Sequence, residues 1–284
     1  MARDELLPMP HIGVMRQGAV GTITIDRPQR FNSLDVTTAR DLRKAALWLS
    51  RDEAIRCVVI RGTNGVFCSG ADLKYINARV GRTDAEYLHP GSDDEPLSVS
   101  DGFKEILEYL HSTISEIKRS GTPFVAAVDG VAAAGGFGLA MACDLVFASD
   151  RSTFEWAYHK TGLTGAESST FFLPRLVGLR TAMELVLLNP RLSAEDAKAL
   201  HLINRVVPRE QFDATVAEIA ERIATGPSQA YAAAKRLIHL AANVERLDFH
   251  LDEELTELVR AAAGSEVAEG ISAFLEKRAP AFRE

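Results

Sequence analysis

The sequence contains little cysteine and no excess of basic charge. Three cysteines occur in 284 residues, and 39 acidic against 32 basic side chains give a net charge of −7 at pH 7. An odd number of cysteines without metal-ligand spacing predicts neither a disulfide framework nor a zinc site, and favours a reducing cytoplasm. An acidic chain without a basic stripe argues against nucleic acid or an anionic membrane surface as partner.

Long hydrophobic runs are also missing. No stretch reaches the roughly 18 apolar residues that a membrane span needs, and residues 1–10 are too polar for a signal peptide. Hydrophobic residues nevertheless make up 46% of the chain and charged residues 25%. That balance is typical of a globular protein with a sizeable core.

Several familiar site motifs are absent from the sequence. The run Gly135–Gly136–Phe137–Gly138 does not fit Gly-x-Gly-x-x-Gly, which disfavours a dinucleotide site. No Walker loop, His-Glu-x-x-His or Gly-x-Ser-x-Gly occurs either. We therefore expect no metal, flavin or nicotinamide site.

Two segments in which glycine follows apolar residues organise the rest of the chain. In the first, residues 123–128 predict a buried strand, Gly135 and Gly136 a tight turn, and the following residues an apolar helix. In the second, residues 58–68 predict two strands ahead of a turn at Gly70. Bare amides at the start of a helix suit a developing negative oxygen, and two such turns could supply two converging donors. The alternative is that the glycines only allow close packing of helix on strand.

The remaining pattern predicts repeated strand–turn–helix units followed by helices. Residues 77–100 are rich in turn and charged residues and predict a surface segment. The other predicted elements are a hairpin (12–17 and 20–25), a helix capped by Asp35 and ending near residue 50, a helix over 101–120, strands at 145–148, 153–155 and 205–207, a helix start capped by Ser193, and three or four C-terminal helices broken at 226–227 and 264.

The two glycine turns carry recognisable motifs. Residues 67–74 read Phe-x-x-Gly-x-Asp-Leu-Lys, and residues 129–144 contain Asp-Gly, Gly-Gly-x-x-Leu-Ala and Cys-Asp. On these motifs the chain resembles the enoyl-CoA hydratase/isomerase (crotonase) superfamily over nearly its whole length. The resemblance implies an α/β fold, with a crotonase-like ββα spiral core over residues 1–207 and a C-terminal helical trimerisation region over residues 208–284. It also implies a homotrimer or a dimer of trimers.

The same resemblance implies where the site lies. The backbone amides of Ala71 and Gly135 match an oxyanion hole, which would hold the thioester oxygen of an acyl-CoA substrate. No cofactor beyond the CoA moiety of that substrate is expected. Six residues are expected to bind the CoA moiety: Arg27, Arg30, Ser69, Asp72, Lys74 and Lys277.

The two glutamates that activate water in hydratases of this superfamily are both missing. Their positions hold Gly138, which has no side chain, and Tyr158, a poor base with an intrinsic pKa near 10. The ordinary two-glutamate hydration is therefore not predicted. Tyr158 is expected to line the pocket, with proton donation as its catalytic role.

Residues 154–163 and 176–185 resemble the 4-chlorobenzoyl-CoA dehalogenase branch. That branch has an aromatic residue at the Tyr158 position and a catalytic histidine at the position of His111. Its nucleophilic aspartate falls on Ala166, one residue before Glu167. We expect Glu167 and His111 to form the acid/base pair. The alternatives are that Glu167 caps a helix beginning at Ser168, and that His111 is only a core residue.

The sequence thus predicts an enzyme that acts on an acyl-CoA thioester through an oxyanion-stabilised intermediate. Isomerisation, hydrolysis or dehalogenase-like addition on a bulky acyl group is favoured over ordinary hydration. The alternative is a catalytically silent acyl-CoA-binding protein that kept the pocket and lost the glutamates.

Overall fold

The computed structural model of the chain describes residues 9–82 and 96–282. Within these ranges ten strands form two sheets. The strands are β1 (Ile12–Gln17), β2 (Val20–Ile25), β3 (Cys57–Gly62), β4 (Val66–Cys68), β5 (Phe124–Val128), β6 (Val131–Ala133), β7 (Leu145–Ser149), β8 (Thr153–Glu155), β9 (Leu192–Ser193) and β10 (Arg205–Val207).

Eleven α-helices lie within the same described ranges. They are α1 (Val36–Arg51), α2 (Leu73–Arg79), α3 (Val99–Arg119), α4 (Gly135–Ala142), α5 (Ser169–Val177), α6 (Leu179–Leu188), α7 (Ala194–Ala199), α8 (Arg209–Ala224), α9 (Ser228–Ala241), α10 (Leu247–Ala262) and α11 (Ser265–Glu276). None of the helices in this part of the chain is long and apolar enough to cross a membrane.

From β3 to β8, successive strands alternate between the two sheets. One sheet has the order β1-β2-β3-β5-β7-β10 and the other the order β4-β6-β8-β9. Strand β3 lies in the larger sheet and β4 in the smaller one, and a helix follows them. Strands β5 and β6 and the next helix repeat this order. This arrangement confirms the predicted ββα spiral. The sequence prediction missed β6, because its three residues, Val131–Ala133, are too few to give a strand signal beside the glycine turn.

Side-chain caps fix where the helices around the site begin. Asp35 accepts a hydrogen bond from the Thr38 amide and begins α1 as predicted. The helix predicted over residues 101–120 begins two residues earlier, at Val99, because Ser98 and Asp101 form a capping box there. Part of the predicted surface segment at 77–100 falls on residues 83–95, outside the described residues, and residues 77–79 belong to α2.

One large apolar core lies between the sheets and helices. Helix α3 turns Phe103, Ile106, Leu110 and Ile114 into it, and each is almost fully buried. Burying one such side chain stabilises a fold by about 1.5–3 kcal/mol relative to leaving it exposed. The three cysteines are free and buried, as their apolar neighbours predict.

The C-terminal helices do not form a separate layer. Three or four helices are predicted in this region, and four are present, α8 to α11. Helix α10 packs against α3 and α5, and α11 packs against the 3₁₀ turn Tyr158–Thr161. The α8 helix instead covers strands of the larger sheet. The boundary at residues 207 and 208 stays a prediction.

Candidate active site

A cavity of about 500 Å³ lies where the two glycine turns meet. Its walls include backbone from both turns and side chains from α10 and α11. A larger cavity of about 760 Å³, beside Lys118 and Lys235, contains none of the predicted site residues. Of the predicted site residues, the smaller cavity gathers Ala71, Gly135, Glu167, Tyr158, Arg30, Ser69, Asp72, Lys74 and Lys277.

The two glycine turns are in direct contact. A Cβ placed on Gly70, where φ is +92°, would lie 2.7 Å from the Ala134 Cβ and 3.1 Å from the Gly135 nitrogen. A Cβ on Gly136 would lie 2.1 Å from the Cys68 carbonyl oxygen. These glycines do allow close packing, and the packing itself brings Ala71 and Gly135 to one cavity.

The backbone amides of Ala71 and Gly135 lie outside the regular hydrogen-bond pairing of their neighbours. Leu34 N–H donates to the Gly70 carbonyl oxygen at 2.8 Å, and Asp72 N–H donates to the Leu34 carbonyl oxygen at 2.9 Å. This pairing does not use the Ala71 amide between them. Gly135 is the first residue of α4, where amides have no partner within the helix.

The Glu167 carboxylate enters the cavity beside Gly135. Its Oε1 lies 2.9 Å from the position that a Cβ on Gly135 would take. The Tyr158 hydroxyl donates a hydrogen bond to Oε2, and the same hydroxyl lies 3.1 Å from the Ala166 carbonyl oxygen. Glu167 is 3% exposed, so it meets the cavity rather than bulk solvent.

The surroundings of Glu167 favour its neutral form. Burial raises its pKa to about 8, and the charge of Glu254 acts in the same direction against the Tyr158 hydrogen bond. Burial and the nearby Glu167 charge raise the pKa of Tyr158 well above its ordinary value. The Tyr158 phenol therefore stays protonated and remains a hydrogen-bond donor. The Glu167 carboxyl changes charge near pH 8 and can exchange protons there.

The Glu167 segment occupies the space that a side chain on residue 138 would need. A Cβ on Gly138 would lie 2.4 Å from the Glu167 carbonyl oxygen and 2.8 Å from its Cβ. No side chain fits at residue 138 while Glu167 keeps this place. The Glu167 segment can therefore take this place only because residue 138 has no side chain.

The backbone at Glu167 is held in an unfavourable conformation. Glu167 and Ser168 have φ values of 52° and 61°, in the left-handed region that non-glycine residues rarely adopt. Such residues cost about 1–3 kcal/mol each and persist where the surroundings hold them. The amides of Ser168 and Thr170 donate to Glu254 at 2.8 and 3.0 Å. The carboxylate that caps α5 is therefore Glu254, and not Glu167.

His111 lies outside the cavity wall. It is buried on α3 with Nε2 at 4.0 Å from Glu254 Oε2, and this nitrogen has no hydrogen-bond partner among the described residues. Burial lowers its pKa to about 4, so the imidazole is neutral. The structure therefore places His111 with Glu254, and Glu167 with Tyr158, instead of bringing His111 and Glu167 together in the cavity.

The predicted CoA contacts fall into two groups. Arg27 is buried, bonds to Asp35 and Asp72, and does not line the cavity. Asp72 accepts from Arg27 and Arg30 and caps α2. Although burial acts to raise the pKa of Asp72, hydrogen bonds from Arg30, the Tyr75 amide and Arg27 lower it. Lys74 and Lys277 line the cavity and leave two cations for a ligand.

Sequence reasoning missed Glu254. In the sequence it stands in an acidic run, Asp252–Glu253–Glu254, which is typical of an exposed helix face. The structure buries it to 5% exposure. The available signal was its spacing, since Leu247, Leu251, Glu254 and Leu258 occupy one helical stripe and all are buried.

Comparisons with known proteins agree over the whole fold. The sequence model of the enoyl-CoA hydratase/isomerase family matches residues 15–284. The chain is 30% identical to 4-chlorobenzoyl coenzyme A dehalogenase-2 of Arthrobacter sp., covering 94% of this chain and 91% of that protein. It is 32% identical to 1,2-epoxyphenylacetyl-CoA isomerase of Escherichia coli K12, covering 93% and 94%.

Solved structures show the same likeness. The crystal structure of an enoyl-CoA hydratase from Mycobacterium avium subsp. paratuberculosis K-10 superposes with a TM-score of 0.84 at 28% identity, covering 98% of this chain and all of that one. An enoyl-CoA hydratase from Bacillus halodurans gives 0.80 at 27% identity over 93% and 99%. From the spiral of strands, the paired glycine turns and these matches, the chain belongs to the enoyl-CoA hydratase/isomerase family.

Proposed function

We propose that this protein isomerises an acyl-CoA thioester by moving a proton through a single carboxyl group, Glu167. The observation that carries the proposal is the position of the Glu167 carboxylate against Gly135, inside the cavity between the two glycine turns. Its pKa of about 8 lets it take up and release a proton near neutral pH.

The amides of Ala71 and Gly135 would hold the thioester oxygen. Both residues line the cavity, the Ala71 amide is not used in the pairing with Leu34, and Gly135 begins α4. Donors placed in this way stabilise the negative oxygen that forms when an adjacent carbon loses a proton. Loss of one such donor typically lowers kcat by about 10²–10³-fold.

The proton balance of an isomerisation needs one base. Ionised Glu167 removes a proton from the α-carbon of a β,γ-unsaturated acyl group, and the C–H electron pair moves toward the thioester oxygen to give a dienolate. Protonated Glu167 then returns that proton to the γ-carbon, and the double bond moves to the α,β position. Tyr158 stays protonated and holds the carboxylate through its hydrogen bond.

The same geometry argues against two other reactions of relatives. Two-glutamate hydration lacks its first carboxylate, because the Glu167 segment fills the space at Gly138. An aspartyl nucleophile of the dehalogenase type would fall on Ala166, which has no carboxylate. The likeness to a protein named 1,2-epoxyphenylacetyl-CoA isomerase supports isomerisation and a bulky acyl group.

The proposal extends to the CoA moiety and the assembly. Lys74 and Lys277, with Arg30 at the same cavity, are suited to the phosphates and pantetheine of CoA. Helices α6 and α9 expose large apolar side chains, among them Leu187, Leu188 and Ile238. Such faces support the proposed trimer or dimer of trimers.

The proposal is tested by incubating wild type and Glu167→Gln with a β,γ-unsaturated acyl-CoA, crotonyl-CoA and 4-chlorobenzoyl-CoA in heavy-oxygen water. We expect the β,γ ester to become the α,β isomer without gaining heavy oxygen, and only in the wild type. Rapid addition of water to crotonyl-CoA, or release of chloride, would contradict isomerisation. Binding of all three esters without any conversion would support the silent binder instead.

A further inference from the structure

We infer that Glu254, on the C-terminal helix α10, is a positioning residue that holds the Glu167–Ser168 turn against Gly135 and sets the pH range in which Glu167 works. This inference rests on the proposed function of Glu167. Helix α10 would then support the active site, although the resemblance implies only a role in trimerisation for this region.

The hydrogen bonds that Glu254 accepts come from the segment that follows Glu167. Oε2 accepts from the Ser168 amide at 2.8 Å, and Oε1 accepts from the Thr170 amide at 3.0 Å. The Thr170 hydroxyl also donates to Oε1. One carboxylate therefore binds Ser168 within the turn that places the Glu167 side chain and Thr170 just after it.

These hydrogen bonds, which we call the Glu254 clamp, stabilise a turn that has no side-chain cap of its own. Glu167 and Ser168 both have left-handed backbone conformations without the help of glycine. The Ser168 hydroxyl is buried and has no partner among the described residues, so it does not cap α5 itself. The turn thus depends on a residue 86 positions later in the chain.

Two histidines lie beside Glu254, one on its own helix and one on α3. His250, one turn earlier on α10, has Nε2 at 2.8 Å from the Thr170 hydroxyl oxygen. Since that hydroxyl proton goes to Glu254, His250 Nε2 must be the donor of this contact. From α3, His111 Nε2 faces Glu254 Oε2 at 4.0 Å.

The charge of Glu254 reaches Glu167 because little neutralises it. The titratable groups that face it are His111 from α3, His250 from its own helix, and Glu167 and Tyr158 from the cavity side. Burial keeps His111 neutral, with a pKa of about 4. Two carboxyl groups on either side of one turn repel as anions, and this contributes to the raised pKa of Glu167.

The experiment compares Glu254→Gln with Glu253→Gln, a matched control on the exposed face of the same helix. The ionisation of Glu167 is followed by infrared difference titration of each protein against its own Glu167→Gln derivative. We expect Glu254→Gln to lower the pKa of Glu167 and to shift the pH dependence of kcat to lower pH. Glu253→Gln should leave both unchanged. An unchanged Glu167 titration in folded Glu254→Gln would overturn the inference.

A second variant separates position from charge. Glu254→Ala also removes the acceptors of Ser168 and Thr170, so kcat should fall by about 10–100-fold while the affinity for the CoA ester changes little. If kcat stays within about twofold, the clamp does not position Glu167. The titration needs no turnover. A shifted pKa in a protein that isomerises nothing would therefore leave the role of Glu254 standing and remove the proposed function.

Discussion

Two turns lie side by side at the cavity, and they differ in the residues that form them. In the turn at Ala134–Gly136, a Cβ on Gly136 would meet the Cys68 carbonyl oxygen at 2.1 Å, and Ala134 has a φ of 47°. The turn at Glu167–Ser168 is formed by two residues with full side chains in left-handed conformations. The first carries the oxyanion donors that we propose, and the second carries the acid/base group.

The difference lies in what stabilises each turn. The glycine turn is fixed by backbone contacts, of Gly136 with Cys68 in β4 and of Gly135 with the Gly70 turn. The Glu167 turn is held by side chains, by Tyr158 on one side and Glu254 on the other. A rigid glycine turn suits a fixed backbone donor, whereas a turn built of side chains can carry a titratable group into a buried site at the cost of strain.

The largest effect is expected when the second turn loses the acid/base group of Glu167 but keeps its shape. Glu167→Gln is nearly isosteric and can still accept from Tyr158. We expect kcat to fall by about 10³-fold, within the range of general acid/base catalysis, with the affinity for the CoA ester retained. Turnover by this variant within tenfold of wild type would contradict a catalytic role. Single-turnover kinetics and equilibrium binding provide the two readouts.

Pushing the two turns apart should have the next largest effect. A Cβ on Gly138 would meet the Glu167 carbonyl oxygen at 2.4 Å, so Gly138→Ala must displace the Glu167 segment. We expect about 10²-fold lower kcat and a stability loss of about 1–3 kcal/mol. The control is Gly13→Ala, whose Cβ would meet only Thr24 at 3.5 Å. Equal effects of the two variants on urea unfolding and kcat would show that residue 138 is not special.

Removing the Tyr158 hydroxyl should shift the pH dependence rather than abolish activity. Its hydrogen bond favours the ionised Glu167 and lowers that pKa against burial. In Tyr158→Phe the pKa of Glu167 rises further above 8, so the ionised fraction at pH 7 falls. We expect a kcat profile displaced to higher pH and about tenfold lower activity at pH 7. A displacement to lower pH would contradict the sign of this contact.

The smallest effect is expected from relieving strain in the second turn. Ser168→Ala and Ser168→Gly both remove the unpartnered hydroxyl, but only glycine accepts a φ of 61° without penalty. We expect Ser168→Gly to be more stable than Ser168→Ala by about 0.5–1 kcal/mol in urea unfolding, after the larger entropy of glycine in the unfolded chain is counted. Greater stability of the alanine variant would mean that this backbone is not strained.

How much the sequence predicts follows from the same contrast. Gly70, Gly135 and Gly136 predict tight turns, because glycine is itself the residue that a tight turn or a close backbone approach needs. Glu167 could be found only by its place beside the position of the dehalogenase aspartate. The helical spacing of Glu254 could have shown that it is buried, but its contacts could not be predicted, because they join segments 84 and 86 residues apart. His111 was expected to pair with Glu167, and only the packing of α10 on α3 places it beside Glu254.

The central claim is that one carboxyl group, Glu167, moves protons on a carbon next to a thioester held by Ala71 and Gly135. Its most direct test is the exchange of α-hydrogen for deuterium in a saturated acyl-CoA, measured by mass spectrometry across pH in wild type and Glu167→Gln. We expect exchange that rises with pH through about 8, as Glu167 ionises, and that is lost in the variant. Exchange that persists in Glu167→Gln, or that does not depend on pH, would contradict it.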